Sequence, residues 1–306
     1  MKNFGSNLRN LRESMRITRE VLCDDESQLS VRQLARIETG VSLPNIGTAL
    51  FIAAQLGVSL DALTRGEKLE LPQRYKELKY LILRIPTYFD KLRIEEKESQ
   101  FSEIFEKYYE NLPEDEQVII DGLQSKFEVY QTGNIDFGID MLSEYFAQVK
   151  VKKDYKFNDL IIIDLYLTCL IVTDFSEELY NQEIFQTVQD NILKQSSTLE
   201  LDNLFLLNQV ILSCINISLK IKDNSRIEEL LTSSHDIMTR IQDFQRMPVY
   251  FMYKWKNELQ NYRSIDGAVD SYEQSKLFAN IIGQGYLVEK LTDEWESDLV
   301  TFKSRV

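Results

Sequence analysis

The 306-residue sequence predicts an all-α protein. Only 11 glycines and 5 prolines punctuate the chain, too few for a many-turned β fold. Apolar residues recur at helical spacing in one segment after another, with brief turn signals between them. The 43% hydrophobic and 27% charged content is that of a globular chain, and the length exceeds what one core usually covers. The expected layout is therefore a small helical domain followed by a helical repeat array.

The elements follow in order. Phe4, Leu8 and Leu11 fall on one face of a first helix. Thr18 can cap a second with Val21 and Leu22 inward, and Ser30 can cap a third in which Leu34 and Ile37 are spaced for burial and Gly40 ends the run. Pro44 and Asn45 open a fourth, whose apolar face includes Leu50, Ile52, Ala53 and Leu56, and Ser59 caps a short fifth. Past Gly66, the stretch "EKLELPQRYKELKYLILRIPTYFDK" reads as a helix broken near Pro86. Longer helices then continue to the end, through "LIIIDLYLTCLIV", "LDNLFLLNQVILSCINISLKI" and "GYLVEKLTDEWESDLVTF", the last with Leu287, Leu291, Trp295 and Leu299 at helical spacing. The expected domains are 1–66, a linker helix 67–89, a repeat domain 90–283 and a C-terminal cap or dimerisation helix 284–306.

Charge separates the parts. The net charge is -14, yet residues 1–66 hold 8 basic and 7 acidic residues, so the acidity belongs to the long remainder. Contact with a polyanion is thus confined to the N-terminal segment. No apolar stretch has the length of a signal peptide core at the start or of a bilayer span elsewhere, and a cytoplasmic protein without membrane attachment is expected. Three scattered cysteines fit neither a disulfide framework nor a metal site, and the single histidine, His235, removes most imidazole chemistry. No nucleophile and base pair, metal spacing or phosphate loop appears, so neither an enzyme nor a cofactor is expected.

The segments "NLRNLRESMRITREVL", "VRQLARIETGVSLP" and "IAAQLGVSLDAL" resemble the lambda-repressor-like helix-turn-helix of the XRE class over residues 4–64. In such motifs the second helix enters the major groove of double-stranded DNA. With Leu34 and Ile37 inward, Arg32, Gln33 and Arg36 face out, and arginine and glutamine suit guanine and adenine edges. Arg19 and Thr18 match the phosphate-contacting end of the motif's first helix, while Arg12 and Glu38 match a structural ion pair. The turn "CDDESQLS" is one residue longer than usual in the class and lacks its glycine.

Further on, "GAVDSYEQSKLFA", with Ala268, Tyr272 and Ala279, resembles the second helix of a tetratricopeptide repeat. Polar Asp164 and Asn208, inside otherwise apolar helices, are candidates for an inner, peptide-binding surface, with a satisfied core polar group as the alternative. The combination resembles the Rgg and PlcR-like peptide-pheromone receptors of Gram-positive bacteria. The segments "REVLC", "VRQL", "RIE", "SLP", "PTY" and "LPE" resemble the ComR-type competence regulators among them. That resemblance implies a transcriptional activator of competence genes that binds a short, hydrophobic, imported signalling peptide, then forms a homodimer on promoter DNA. It implies that Arg32 serves DNA binding and is held against Glu114 without peptide, that Thr87 and Lys97 lie near the peptide carboxylate, and that Asn208 lines the groove. Phe89 stands where some relatives have arginine. Two alternatives remain: an Rgg-like regulator of another quorum-sensing regulon, and a protein-binding scaffold that no longer reads DNA.

Overall fold

The computed structural model describes residues 4–64, 71–176, 179–262 and 264–304; the expected boundary at residue 66 lies outside them. Every regular element among the described residues is helical. The chain forms two compact units: residues 1–81 with 98–120, and residues 82–97 with 121–306.

The first unit begins with five short helices: α1 (Phe4–Ser14), α2 (Arg19–Cys23), α3 (Val31–Glu38), α4 (Ile46–Leu56) and α5 (Leu60–Thr64). Local chemistry sets their ends. The Thr18 hydroxyl accepts from Val21 N, Asn45 Oδ1 accepts from Thr48 N at 2.7 Å, and Gly57 closes α4 at φ +64°, which glycine adopts without a Cβ penalty. Phe4, Leu8, Leu22, Leu34, Ile37, Ile52, Leu56 and Leu63 make one core. Burial of each such large apolar side chain contributes about 1.5–3 kcal/mol. Two expectations fail here. Val21 is 66% exposed and Leu50 52% exposed, because α2 has only five residues to bury and the core side of α4 is filled by Ala49, Ile52, Ala53 and Leu56. At Gly5 an added Cβ would stand 2.1 Å from the Ile37 carbonyl, so α1 crosses the end of α3 at backbone contact. The unit also takes in most of α6 (Gln73–Arg84), the second half of α7 (Lys91–Lys107) and the start of α8 (Glu114–Thr132).

The second unit holds α9 (Asp136–Val149), α10 (Phe157–Val172), α11 (Gln182–Gln195), α12 (Leu201–Ile221), α13 (Ile227–Ile241), α14 (Met247–Asn257), α15 (Ile265–Ile281) and α16 (Gly285–Lys303). Neighbours in sequence pack on one another: α9 on α10, α12 on α13, α14 on α15 and α15 on α16, with α10 against α12. In α10 every residue from Asp159 to Leu170 is buried, which explains why its sequence is apolar all round rather than striped. Helix α12 has the length and apolarity of a bilayer span, but most of it is buried inside the protein. Ala268, Tyr272 and Ala279 are buried, and Leu287, Leu291 and Trp295 seat α16 on α14 and α15. There the Tyr272 and Trp295 rings stack at 4.7 Å, while Trp255 Nε1 donates to Asp298 Oδ2 at 2.8 Å. Cys23, Cys169 and Cys214 are free and buried, and burial pushes all three thiols up, away from the reactive thiolate.

Candidate nucleic-acid interface and ligand-binding network

Helix α3 is anchored at both ends. At its start the Ser30 hydroxyl accepts from Gln33 N while Gln33 Oε1 accepts from Ser30 N, both at 3.1 Å, a reciprocal capping box. The Gln33 carbonyl oxygen is thus engaged with the helix end. At the other end Glu38 is buried and receives Arg12 Nε at 2.5 Å, Arg12 Nη2 at 3.1 Å and Arg19 Nε at 2.8 Å. Burial pushes the Glu38 carboxyl up, but the hydrogen bonds and charges of the two arginines outweigh it and hold the group below its usual value. Arg12 also donates to the Ile17 carbonyl at 2.8 Å, joining α1, the loop before α2 and α3. Arg19, expected at the phosphate backbone, therefore shares in this structural carboxylate, and Thr18 is spent on capping α2.

Arg32 is exposed, one turn before the half-buried Arg36. Arg36, not Arg32, is the arginine brought to Glu114, with Nε and Oε2 4.0 Å apart. Glu114 opens α8, whose first turn reads Glu114, Asp115, Glu116, a favourable place for negative charge beside the exposed N–H groups of a helix start. Each carboxylate has its own partner: Asn45 Nδ2 donates to Asp115 Oδ2 at 2.8 Å, and Glu116 Oε2 accepts from Tyr75 Oη at 2.5 Å and Lys79 Nζ at 2.6 Å. Backbone pairing of Leu43 with Pro113 adds a further tie. The loop after α3 and the cap of α4 thus rest on an acidic turn. Sequence reasoning found Glu114 but missed Asp115 and Asn45, since Asn45 reads only as a helix cap.

In the second unit a chain of polar groups crosses apolar helices. Asp164 on α10 is 1% exposed, and its Oδ2 accepts from Lys126 Nζ on α8 and Gln209 Nε2 on α12, both at 2.5 Å. Gln209 Oε1 in turn accepts from Arg246 Nη2 at 2.6 Å, and Arg246 also pairs with Asp243 at 3.3 Å. Lys97 Nζ donates to the Ile82 and Ile85 carbonyls at 2.8 and 2.7 Å, closing the end of α6. Burial, reinforced by Lys126, Arg246 and Arg93, lowers its pKa to about 7. An ammonium has three donors, so one remains for a ligand. Thr87 is buried in the turn after α6. Asn208 is wholly buried, its Oδ1 accepting from Ser234 Oγ at 2.7 Å, so in this structure it joins α12 to α13 rather than standing on an open surface. Lys97, Lys126, Arg93 and Arg246 outnumber Asp164 and Asp243, and such an excess of cations suits a carboxylate. Lys126, Gln209 and Arg246 were not singled out from sequence; Gln209, beside Asn208 in an apolar run, carried the available signal.

A five-helix domain of the helix-turn-helix type, followed on one chain by a helical repeat domain whose apolar interior is crossed by a polar network, defines a helix-turn-helix regulator with a repeat-type receptor domain. Residues 8–63 match the helix-turn-helix family model and residues 72–295 match the ComR tetratricopeptide model. The chain belongs to the ComR family. It is 36% identical to ComR from Streptococcus suis, covering 97% of this chain and 95% of that one with a TM-score of 0.72. It is 26% identical to ComR from S. thermophilus in complex with DNA and its signalling peptide ComS, with 96% and 99% covered and a TM-score of 0.69. ComR from Streptococcus vestibularis in complex with its signalling peptide XIP is 27% identical, with 97% and 98% covered and a TM-score of 0.69. No curated protein matches the chain.

Proposed function

We propose that this protein is a cytoplasmic, peptide-switched transcriptional activator of the competence type, which binds promoter DNA through α3 and a short signalling peptide through its repeat domain. The observation that carries the reading is one chain holding both an outward arginine helix, pinned through Glu38, and a cation-rich polar network among buried helices. ComR of S. thermophilus was solved with DNA and its peptide together, which supports both partners. Arg32 and Arg36 read the major groove, with Thr18, Arg19 and Gln33 at its edge. Thr87 and Lys97 receive the peptide carboxylate, and Asp164 and Asn208 shape the site from behind. Without peptide, the acidic start of α8 occupies Arg36 and the Asn45 cap, in competition with DNA phosphate. With peptide, the protein forms a homodimer through α16, since a single helix-turn-helix offers too little surface for tight operator binding. The domains are 1–66, 67–89, 90–283 and 284–306.

Footprinting on competence promoters with and without a hydrophobic signalling peptide tests the reading. Protection that rises on peptide addition and is lost in Arg32→Glu is expected, with the variant's peptide affinity within about threefold of wild type. Undiminished protection in that variant removes Arg32 from the interface.

A further inference from the structure

The turn between α6 and α7 carries an unusual backbone. Tyr88 and Phe89 have φ of +49° and +60°, a region that bulky side chains seldom adopt and that persists only where surrounding structure enforces it. Five contacts hold it here. The Tyr88 hydroxyl donates to the Gln245 carbonyl, and its ring packs against the cluster that includes Trp255, Leu291 and Trp295. The Phe89 ring stacks on Tyr130 at 4.5 Å. Asp90 N closes the turn onto the Thr87 carbonyl at 2.9 Å, and Asp90 Oδ1 accepts from Arg93 N in the first turn of α7.

Arg93 then reaches both ways. Its Nη1 donates to the Pro86 carbonyl at 2.9 Å, the residue before Thr87. With the Gln284 amide turned so that its oxygen faces the guanidinium, Nε and Nη2 donate to it at 3.1 and 2.7 Å. Gln284 is the N-cap residue of α16. One guanidinium therefore ties the buried Thr87 turn to the start of the C-terminal helix, and the Tyr88 ring ties the same turn to the cluster that seats that helix. Arginine suits the task because its planar fork can bind two separate acceptors at once.

We propose that Arg93 is a positioning residue that couples the Thr87 turn to α16, so that a carboxylate arriving at Thr87 and Lys97 loosens the hold on the C-terminal helix. A strained turn with its side chains seated in two different clusters links those clusters, and a ligand that binds another arrangement of the turn better shifts both. The trigger rests on the peptide-binding reading above; the tie between Arg93 and α16 does not.

Hydrogen exchange on the full chain tests the two parts separately. In the peptide-free protein, Arg93→Met and Gln284→Ala should each speed exchange in the first turns of α16 by about tenfold, and the double variant should add little to either. Arg93→Lys keeps the charge but not the fork, and should resemble Arg93→Met; full rescue by lysine would mean that charge alone matters and overturns the proposal. Unchanged α16 exchange in Arg93→Met and Gln284→Ala overturns it too. Protected amides in α10 and α12 report that the variants fold, and should Arg93→Met not fold, Gln284→Ala decides from the other end. Labelled XIP, the peptide of the S. vestibularis complex, tests the trigger: bound XIP should speed α16 exchange in the wild type and add nothing in Arg93→Met. Bound XIP with no change at α16 sinks the coupling, whereas no XIP binding by anisotropy counts against the peptide reading and leaves the variants to decide the tie.

Discussion

Glu38 is a single carboxylate that receives two guanidinium groups inside a small domain. Removing one partner of a buried pair leaves uncompensated charge, which costs about 3–5 kcal/mol. Glu38→Ala should lower the stability of the helix-turn-helix unit by that amount in chemical denaturation. Because the folded protein holds this carboxyl below its usual value, its contribution is present above the unfolded value and is lost as pH falls through the folded one, so the loss on mutation should shrink in acid. Lys97 has the same sense for the opposite reason, since burial disfavours its charged form where the arginines favour that of Glu38. Its folded value, about 7, lies below that of an unfolded lysine, so above pH 7 the folded state has shed a proton that the unfolded chain retains, and this group makes stability rise with pH. If Lys97 receives the peptide carboxylate as proposed, it must do so as the ammonium, so binding takes up a proton above pH 7. Titration calorimetry should find peptide affinity falling up to about tenfold per pH unit there, with the dependence absent in Lys97→Met.

At the scale of elements, the start of α8 meets the reading domain through two carboxylates of unequal strength. Arg36 and Glu114 are 4.0 Å apart with side chains each 35% exposed, and a pair of that kind contributes about 0–1 kcal/mol. The hydrogen bond from Asn45 to Asp115 is 2.8 Å and partly buried, and a bond to a charged acceptor contributes about 1.5–3 kcal/mol. If this turn restrains DNA binding, Asp115→Ala should raise peptide-free promoter affinity by about tenfold, and Glu114→Gln by less than about fivefold, in gel-shift titrations. Equal effects would make the charge of the turn, rather than the Asn45 contact, the restraint. The crossing of α1 over α3 is separately testable: Gly5→Ala drives a methyl into the Ile37 carbonyl and should destabilise the unit by about 1–3 kcal/mol.

For the molecule as a whole, the charge of -14 opposes nucleic acid, and attraction is left to a few arginines near α2 and α3. DNA binding should therefore weaken steeply with salt, as counterions released from phosphate are returned. Raising salt from 50 to 200 mM should reduce promoter affinity at least about tenfold, and Arg32→Ala should flatten that slope by about one unit if Arg32 meets phosphate, or leave it unchanged while relaxing base preference if it meets a base edge.

Much of this was legible without coordinates. Helix positions follow from apolar spacing and caps, which are local: Ser30, Asn45 and the "IDGAVDSYEQSKLFA" stripe behave as short-range chemistry dictates. The all-α class and the outward Arg32 belong to the same category, because a helix's own residues decide which of its faces can leave water. Tertiary structure alone decided which arginine meets Glu114, that Arg19 shares Glu38, that Asn208 faces Ser234, and that Lys126, Gln209 and Arg246 connect through Asp164. Those pairings join residues from 19 to more than 70 positions apart, and no periodicity records them. They are set by where packed helices leave two polar groups without water, and each group must then find the other.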